Sequence, residues 1–142
     1  MPRLLRTEDL AIVEPWFDDP ETQRWLGDRE WPRRLLRLAR QPGRFALLYA
    51  LTDHPVGLLD VELYEGGKAA VAVLVSPEHR GQGVATSILR SVFDLPQTRG
   101  VEEVVGEVEV GNSAGERCVR AAGFTVLDAP TDEGFLRFAL RR

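Results

Sequence analysis

The sequence predicts an α+β fold: a mixed, mostly antiparallel central sheet with about four helices. Two changes of hydrophobic period carry that prediction. Spacing is helical before residue 41, alternates from Phe45 onward, and turns helical again after Gly83. The third observation is the run AAVAVLV, Ala69 to Val75. It is apolar on both faces, as a central strand is.

Taken in order, RLLR (Arg3–Arg6) reads as a short first strand. Thr7 is placed to cap a helix, with Glu8 and Asp9 where the helix dipole favours acid. That helix ends or kinks near Pro15. Trp16 to Trp31 reads as broken and turn-rich. Pro32 suits the first position of a second helix, whose apolar side is Leu35, Leu36, Leu38 and Ala39. Phe45, Leu47, Tyr49 and Leu51 then alternate as a strand. TDHP is a turn, Val56 to Tyr64 a second strand, EGGK a hairpin turn, and Ala69 to Val75 a third strand. These three form an antiparallel meander. Val84, Ile88, Val92 and Leu95 line one face of a helix. Val104 to Val110 is a strand that follows this helix and most simply runs parallel to the one before it. A helix follows with Ala114, Cys118, Ala121 and Ala122 on one stripe, closed by Gly123 as a left-handed cap. FTVL and FLRFAL end the chain as two strands around DAPTDEG.

The 142 residues are expected to form one domain, 1–142, with 44% apolar and 28% charged residues giving a core rather than disorder. A single cysteine, Cys118, excludes an internal disulfide and most cysteine-based metal sites, so a reducing, cytoplasmic setting fits. His54 and His79 form no H-x-x-x-H pair, and no metal is expected. The N-terminus lacks a long apolar stretch, and the longest apolar runs have strand length, so neither a signal peptide nor a membrane span is expected. A net charge of −4 argues against a nucleic-acid partner and favours a cationic small substrate.

The stretch LVSPEHRGQGVATSILRSVFD places Arg80, Gly81, Gln82 and Gly83 between a strand and a helix. Glycines bring bare backbone close to a ligand, the first N–H groups of a helix have no internal partner, and an arginine fork suits phosphate oxygens. Such a turn is a phosphate cradle. A P-loop string is absent, and a Rossmann fingerprint fails because Thr86 stands at its third glycine.

The pattern V-x-P-x-x-R-G-x-G-x-A, carried by Val75, Pro77, Arg80, Gly81, Gly83 and Ala85, resembles the cofactor motif of the GNAT superfamily of N-acetyltransferases. Asn112 followed by Ala122, Gly123 and Phe124 resembles a second element of that family, in the right order and spacing. The resemblance spans Arg3 to Leu140. It implies a GNAT-like sheet whose central parallel pair splays apart around the pantetheine arm of acetyl-coenzyme A. Val73 and Val75 would pair with that arm through main chain. The N–H groups of Arg80, Gly81, Gln82, Gly83, Val84 and Ala85 would take the pyrophosphate, with help from Thr86, and Asn112 would meet the arm.

By the same resemblance, acetyl transfers directly to an amine within a ternary complex. Asp60 with Glu62, and Glu107 with Glu109, each share a strand face and offer carboxylates for deprotonating the amine. Glu107 is the first choice of base, because some family members carry an acid five residues before the asparagine; Glu62 is the second. Many members have a tyrosine seven residues after that asparagine as general acid, and here that position is Val119. This departure leaves a non-catalytic acyl-coenzyme A-binding domain as the alternative. Cys118 is read as packing. The family shapes its acceptor pocket from the first two helices and the last hairpin, here carrying Asp18, Asp19, Glu21, Asp28, Glu30, Asp128, Asp132 and Glu133. A small-molecule or peptide amine of positive charge suits that mouth. Dimers are frequent in the family, and a homodimer is compatible with the resemblance.

Overall fold

The computed structural model describes residues 2–127 and 129–142. Seven strands form one sheet in the order β1-β2-β3-β4-β5-β7-β6. They are β1 (Arg3–Leu4), β2 (Arg44–Leu51), β3 (His54–Tyr64), β4 (Lys68–Val75), β5 (Glu103–Glu109), β6 (Thr125–Val126) and β7 (Phe135–Arg141). The helices are α1 (Leu10–Val13), α2 (Pro20–Trp25), α3 (Glu30–Leu38), α4 (Val84–Arg90) and α5 (Ser113–Ala121). The meander is antiparallel as expected, and β4 with β5 is the parallel pair.

Alternation along the strands builds two cores. Leu47, Leu59, Val61, Ala69, Val71 and Val104 pack against Ile88, Leu89, Val119 and Phe124 on one face. Ala46, Leu48, Leu58 and Leu74 pack against Val13, Trp16, Phe17 and Leu35 on the other. β4 contributes to both, which is why its sequence is apolar at every position after Lys68. Gly57 sits in β3 where an added Cβ would stand 2.7 Å from Ile88 Cδ1, so its absence lets α4 lie close to the sheet.

Several expectations are corrected. Thr7 does not cap the first helical turn. The buried Asp9 takes that role, accepting the Arg6 N–H at 2.8 Å and both arms of the Arg3 guanidinium at 2.7 and 2.8 Å. Residues Trp16 to Trp31 are not merely turns: Asp19 accepts the Thr22 N–H at 3.0 Å and caps α2 there. With that segment helical, the described residues hold five α-helices, in keeping with the expectation of about four. Pro32 is the third residue of α3, two positions inside its start. On α5 only Val119 is buried, with Ala122 buried just past its end; Ala114 and Ala121 are exposed and Cys118 half-buried. Val92 lies beyond α4 in a short 3-10 turn and Leu95 between that turn and the next, yet both remain buried as the helical spacing implied. Gly123 has φ +96°, the left-handed cap expected of it.

Candidate active site

The register of β4 with β5 runs only from Lys68↔Glu103 to Ala70↔Val105. Beyond it the two strands part and open a cleft of about 310 Å³. Backbone direction there follows from the register. Ser76 N–H donates to Val56 C=O at 2.8 Å, so the even residues of β4 face β3. By the two-residue period, the N–H and C=O groups of Val73 and Val75 face β5, past the point where β5 pairs with them. Likewise Val110 N–H donates to Gly134 C=O at 2.9 Å, which turns the main chain of Glu107 and Glu109 toward the cleft. Both flanks of the gap therefore carry strand-type donors and acceptors with no strand between them.

The glycine turn closes one side of this cleft. Gly81 and Gly83 have φ +76° and +79°, the left-handed region that glycine tolerates. A Cβ added at either would meet nothing within 4 Å, so the turn presents open backbone rather than packing against the protein. Arg80, Gly81, Gly83, Val84 and Ala85 all line the cleft. Gln82 and Thr86 do not: Gln82 is exposed, and the Thr86 hydroxyl donates to the Cys118 carbonyl at 3.4 Å, joining α4 to α5.

The Arg80 guanidinium is directed elsewhere than expected. It donates to Asp19 Oδ2 at 2.8 Å, to Glu21 Oε2 at 3.4 Å and to the Thr22 hydroxyl. The cofactor-side turn is thereby tied to the first turn of α2. The Arg80 hydrogen bond, with help from the Thr22 N–H, holds the Asp19 carboxyl below the usual carboxylate range.

Glu107 and Glu109 both line the cleft, and Glu107 is exposed to solvent. Glu62 does not line it. It accepts the Tyr64 hydroxyl at 2.7 Å, lies 3.9 Å from Arg44, and pairs in register with Ala70 at the closed end of β4 and β5. Asp60 is likewise held by Arg44, at 3.0 Å. The second-choice base thus stands apart from the cleft. Asn112 lines the cleft and also caps α5: its Oδ1 accepts the Gly115 N–H at 3.0 Å, and its Nδ2 donates to Glu109 at 3.5 Å. Val119 is buried on the cleft wall, and no tyrosine lines the cleft among the described residues. Cys118 also borders it rather than packing in the core.

Sequence reasoning placed Glu21 at the acceptor mouth but missed Thr22 and the helical form of this segment: Glu21, Thr22 and Trp25 of α2 all line the cleft. Asp19 as an acidic helix cap before Pro20 was the available signal. It also missed Phe138, whose ring occupies the space over Gly106. A Cβ there would stand 2.2 Å from Phe138 Cζ. Of the acids assigned to the acceptor mouth, Asp18 is paired with Arg29 at 2.6 Å and Asp19 and Glu21 with Arg80, while Asp132 and Glu133 are exposed. Asp128 lies outside the described residues. Trp16 is buried and Trp31 stacks on Phe17 at 5.5 Å; of the three tryptophans, only Trp25 borders the cleft. No described helix is long and apolar enough to cross a membrane.

Comparison with known proteins bears directly on this cleft. An uncharacterized N-acetyltransferase of Bacillus subtilis, YfmK, is 28% identical over 144 residues, covering 98% of this chain and 95% of that protein. The fold is shared with aminoglycoside acetyltransferase AAC(6')-Ib solved with coenzyme A and kanamycin: TM-score 0.84, 17% identity, 100% of this chain and 94% of that one. Spermidine N-acetyltransferase from Vibrio cholerae, solved with coenzyme A and spermine, gives TM-score 0.81 at 14% identity over 99% and 94% of the two chains. Residues 8–124 match the acetyltransferase (GNAT) family, a span that contains the glycine turn, the parted strands and Asn112. The chain belongs to that family, and is an acyltransferase with acetyl-coenzyme A as co-substrate.

Proposed function

We propose that the protein transfers an acetyl group from acetyl-coenzyme A to a primary amine of a small molecule or peptide, by direct attack within a ternary complex. The observation that carries this reading is the parted β4/β5 pair, lined at once by the open glycine turn and by Glu107 and Glu109. The co-substrate supplies an activated thioester. The chain's own part is to hold it and to manage one proton.

The main-chain groups of Val73 and Val75 suit a linear amide-bearing arm, and a Val75 N–H free of β3 suits a carbonyl oxygen gaining charge. The backbone of Gly81, Gly83, Val84 and Ala85 suits a pyrophosphate. Arg80 positions that turn from the side, through Asp19 and Glu21. An alkylamine of pKa ~10.4 is neutral in only about 1 molecule in 2,500 at pH 7, so a proton acceptor at the cleft matters. Glu107 takes that role directly or through one water. Glu109 is partly engaged with Asn112 and orients the start of α5. No tyrosine serves the departing thiolate; with a pKa near ~8.5 it leaves without one. Glu107, Glu109 and Trp25 on the cleft favour a cationic acceptor. Kanamycin and spermine, the amines held by the two structural neighbours, fit the same chemistry.

The test has two stages. Thermal unfolding is followed with acetyl-coenzyme A, coenzyme A, NAD and ATP, where a ligand at 100 times its Kd adds about 2.7 kcal/mol. Released thiol is then followed with polyamines, aminoglycosides and basic peptides. Stabilisation by the coenzyme A species alone, followed by amine-dependent thiol release, is expected. Stabilisation without turnover on any amine would overturn the catalytic reading and leave the binding domain.

A further inference from the structure

We infer a second site that the acyl-transfer reading does not use: a divalent transition-metal site formed by His54, Glu78 and His79. Glu78 and His79 are neighbours in sequence but His54 is far from them, and their spacing gave no hint of a metal. The fold brings one ligand atom of each within 4.8 Å of the others. The two imidazole rings stand 5.3 Å apart, inclined at 51°.

Three observations build the case. The first is chemical. Two imidazoles with one carboxylate match the donor set of zinc sites that keep a fourth position for water, and do not match magnesium or calcium, which take oxygen alone. The second is the state of His79. Its Nδ1 is buried and has no hydrogen-bond partner among the described residues. Orphaned buried nitrogens are uncommon in folded proteins, and no hydrogen bond competes with a cation for this one. The third is the backbone that carries the donors. Thr52 and Asp53 turn at φ +48° and +65° and deliver His54 to the start of β3. Ser76 N–H is bonded to Val56 C=O at 2.8 Å, and His79 N–H to Ser76 C=O at 2.9 Å. The Pro77–His79 turn is thus tied to the strand that begins with His54.

Ligand atoms around a tetrahedral Zn²⁺ stand about 3.3 Å apart. His54 and Glu78 are exposed, so their side chains are the ones with room to close the present spread. The site also lies between two spaces. His54 and Glu78 border a separate cavity of about 490 Å³, whereas His79 borders the acyl-transfer cleft. Glu78 and His79 immediately precede the Arg80–Gly83 turn. A metal here would fix the approach to that turn from outside the cleft.

The experiment uses tag-free, chelator-treated protein carrying Cys118→Ser, which removes the one thiol that could take zinc. Zn²⁺ and Mg²⁺ are titrated by calorimetry, and the two histidine ring signals are followed by NMR. Expected are one Zn²⁺ per chain, no binding of Mg²⁺, and joint movement of both ring signals. His54→Ala and Glu78→Gln should each weaken zinc at least about tenfold, and neither, being an exposed side chain, should move the unfolding midpoint of metal-free protein. Absence of saturable zinc binding, equal zinc affinity in His54→Ala, or ring signals that stay still would overturn the site. None of these readouts depends on acyl transfer.

Discussion

Arg80 Nη1 lies 2.8 Å from Asp19 Oδ2, joining the glycine turn to the cap of α2 across 61 residues of sequence. Asp19 thus serves two partners, the Thr22 N–H and the Arg80 fork. If Arg80 acts by holding α2 rather than by touching phosphate, its loss and the loss of Asp19 are not independent. Arg80→Gln and Asp19→Asn should each raise the Kd for coenzyme A, and the double variant should be no worse than the more damaged single one. A coupling of at least about 0.5 kcal/mol in that cycle is expected, measured by ligand titration. Additive losses would return Arg80 to the role of phosphate ligand.

Gly83→Ala should separate fold from binding. The left-handed φ of +79° costs an alanine about 1 kcal/mol, but its Cβ meets open space, so the variant folds. Coenzyme A affinity should fall at least about tenfold, because that open space is where the pyrophosphate would lie. Circular dichroism and calorimetry read the two effects independently.

Gly106→Ala should do the opposite. The new methyl would collide with the Phe138 ring, which also packs edge-on against Phe124 at 5.2 Å. A loss of about 1–3 kcal/mol is expected in denaturant unfolding, typical of overpacking.

Glu107→Gln should lower the acetylation rate by on the order of 100-fold at neutral pH, with coenzyme A affinity unchanged. The deficit should narrow as pH rises toward ~10.4, where an alkylamine needs no base. Glu109→Gln should show a smaller loss with no such narrowing, since its contact is with Asn112. A stopped-flow pH profile of both variants decides which carboxylate faces the amine.

The Arg3 hydrogen bonds and the Arg6 N–H hold the Asp9 carboxyl below the usual carboxylate range, against the opposing effect of its burial. A depressed carboxylate contributes stability that is complete above the unfolded value of ~3.9 and is lost as pH falls through the folded value. Asp9→Asn should therefore destabilise at neutral pH by about 1–2 kcal/mol, less than a fully buried pair would because the Arg3 side chain is 43% exposed. The difference should vanish in acid. Unfolding midpoints across pH test the sign.

Much of this fold is legible in the sequence because each central strand packs two cores through a strict two-residue period. Phe45, Leu47 and Tyr49, or Ala69, Val71 and Val73, cannot be read as helix. The glycine turn is legible for a related reason, since left-handed backbone leaves a compositional trace. What sequence hides is pairing between distant segments. Nothing in Arg80 announces Asp19, nothing in Gly106 announces Phe138, and Glu62 differs from Glu107 only in which end of the sheet it occupies. The short helix α2 is hidden because its stability comes from a cap and a tertiary ion pair rather than from an apolar stripe.

A sheet parted in its middle has four borders instead of two. The outermost strands here, β1 and β6, are two residues long, the sort of blunt margin that discourages a passing chain from adding itself. The inner margins are longer, from Val71 to Val75 and from Gly106 to Glu109, and they keep the same appetite for backbone. By placing its receptive margins indoors, between α2 and α5, the protein offers β-pairing to a slender guest that can thread the sheet, and withholds it from other proteins.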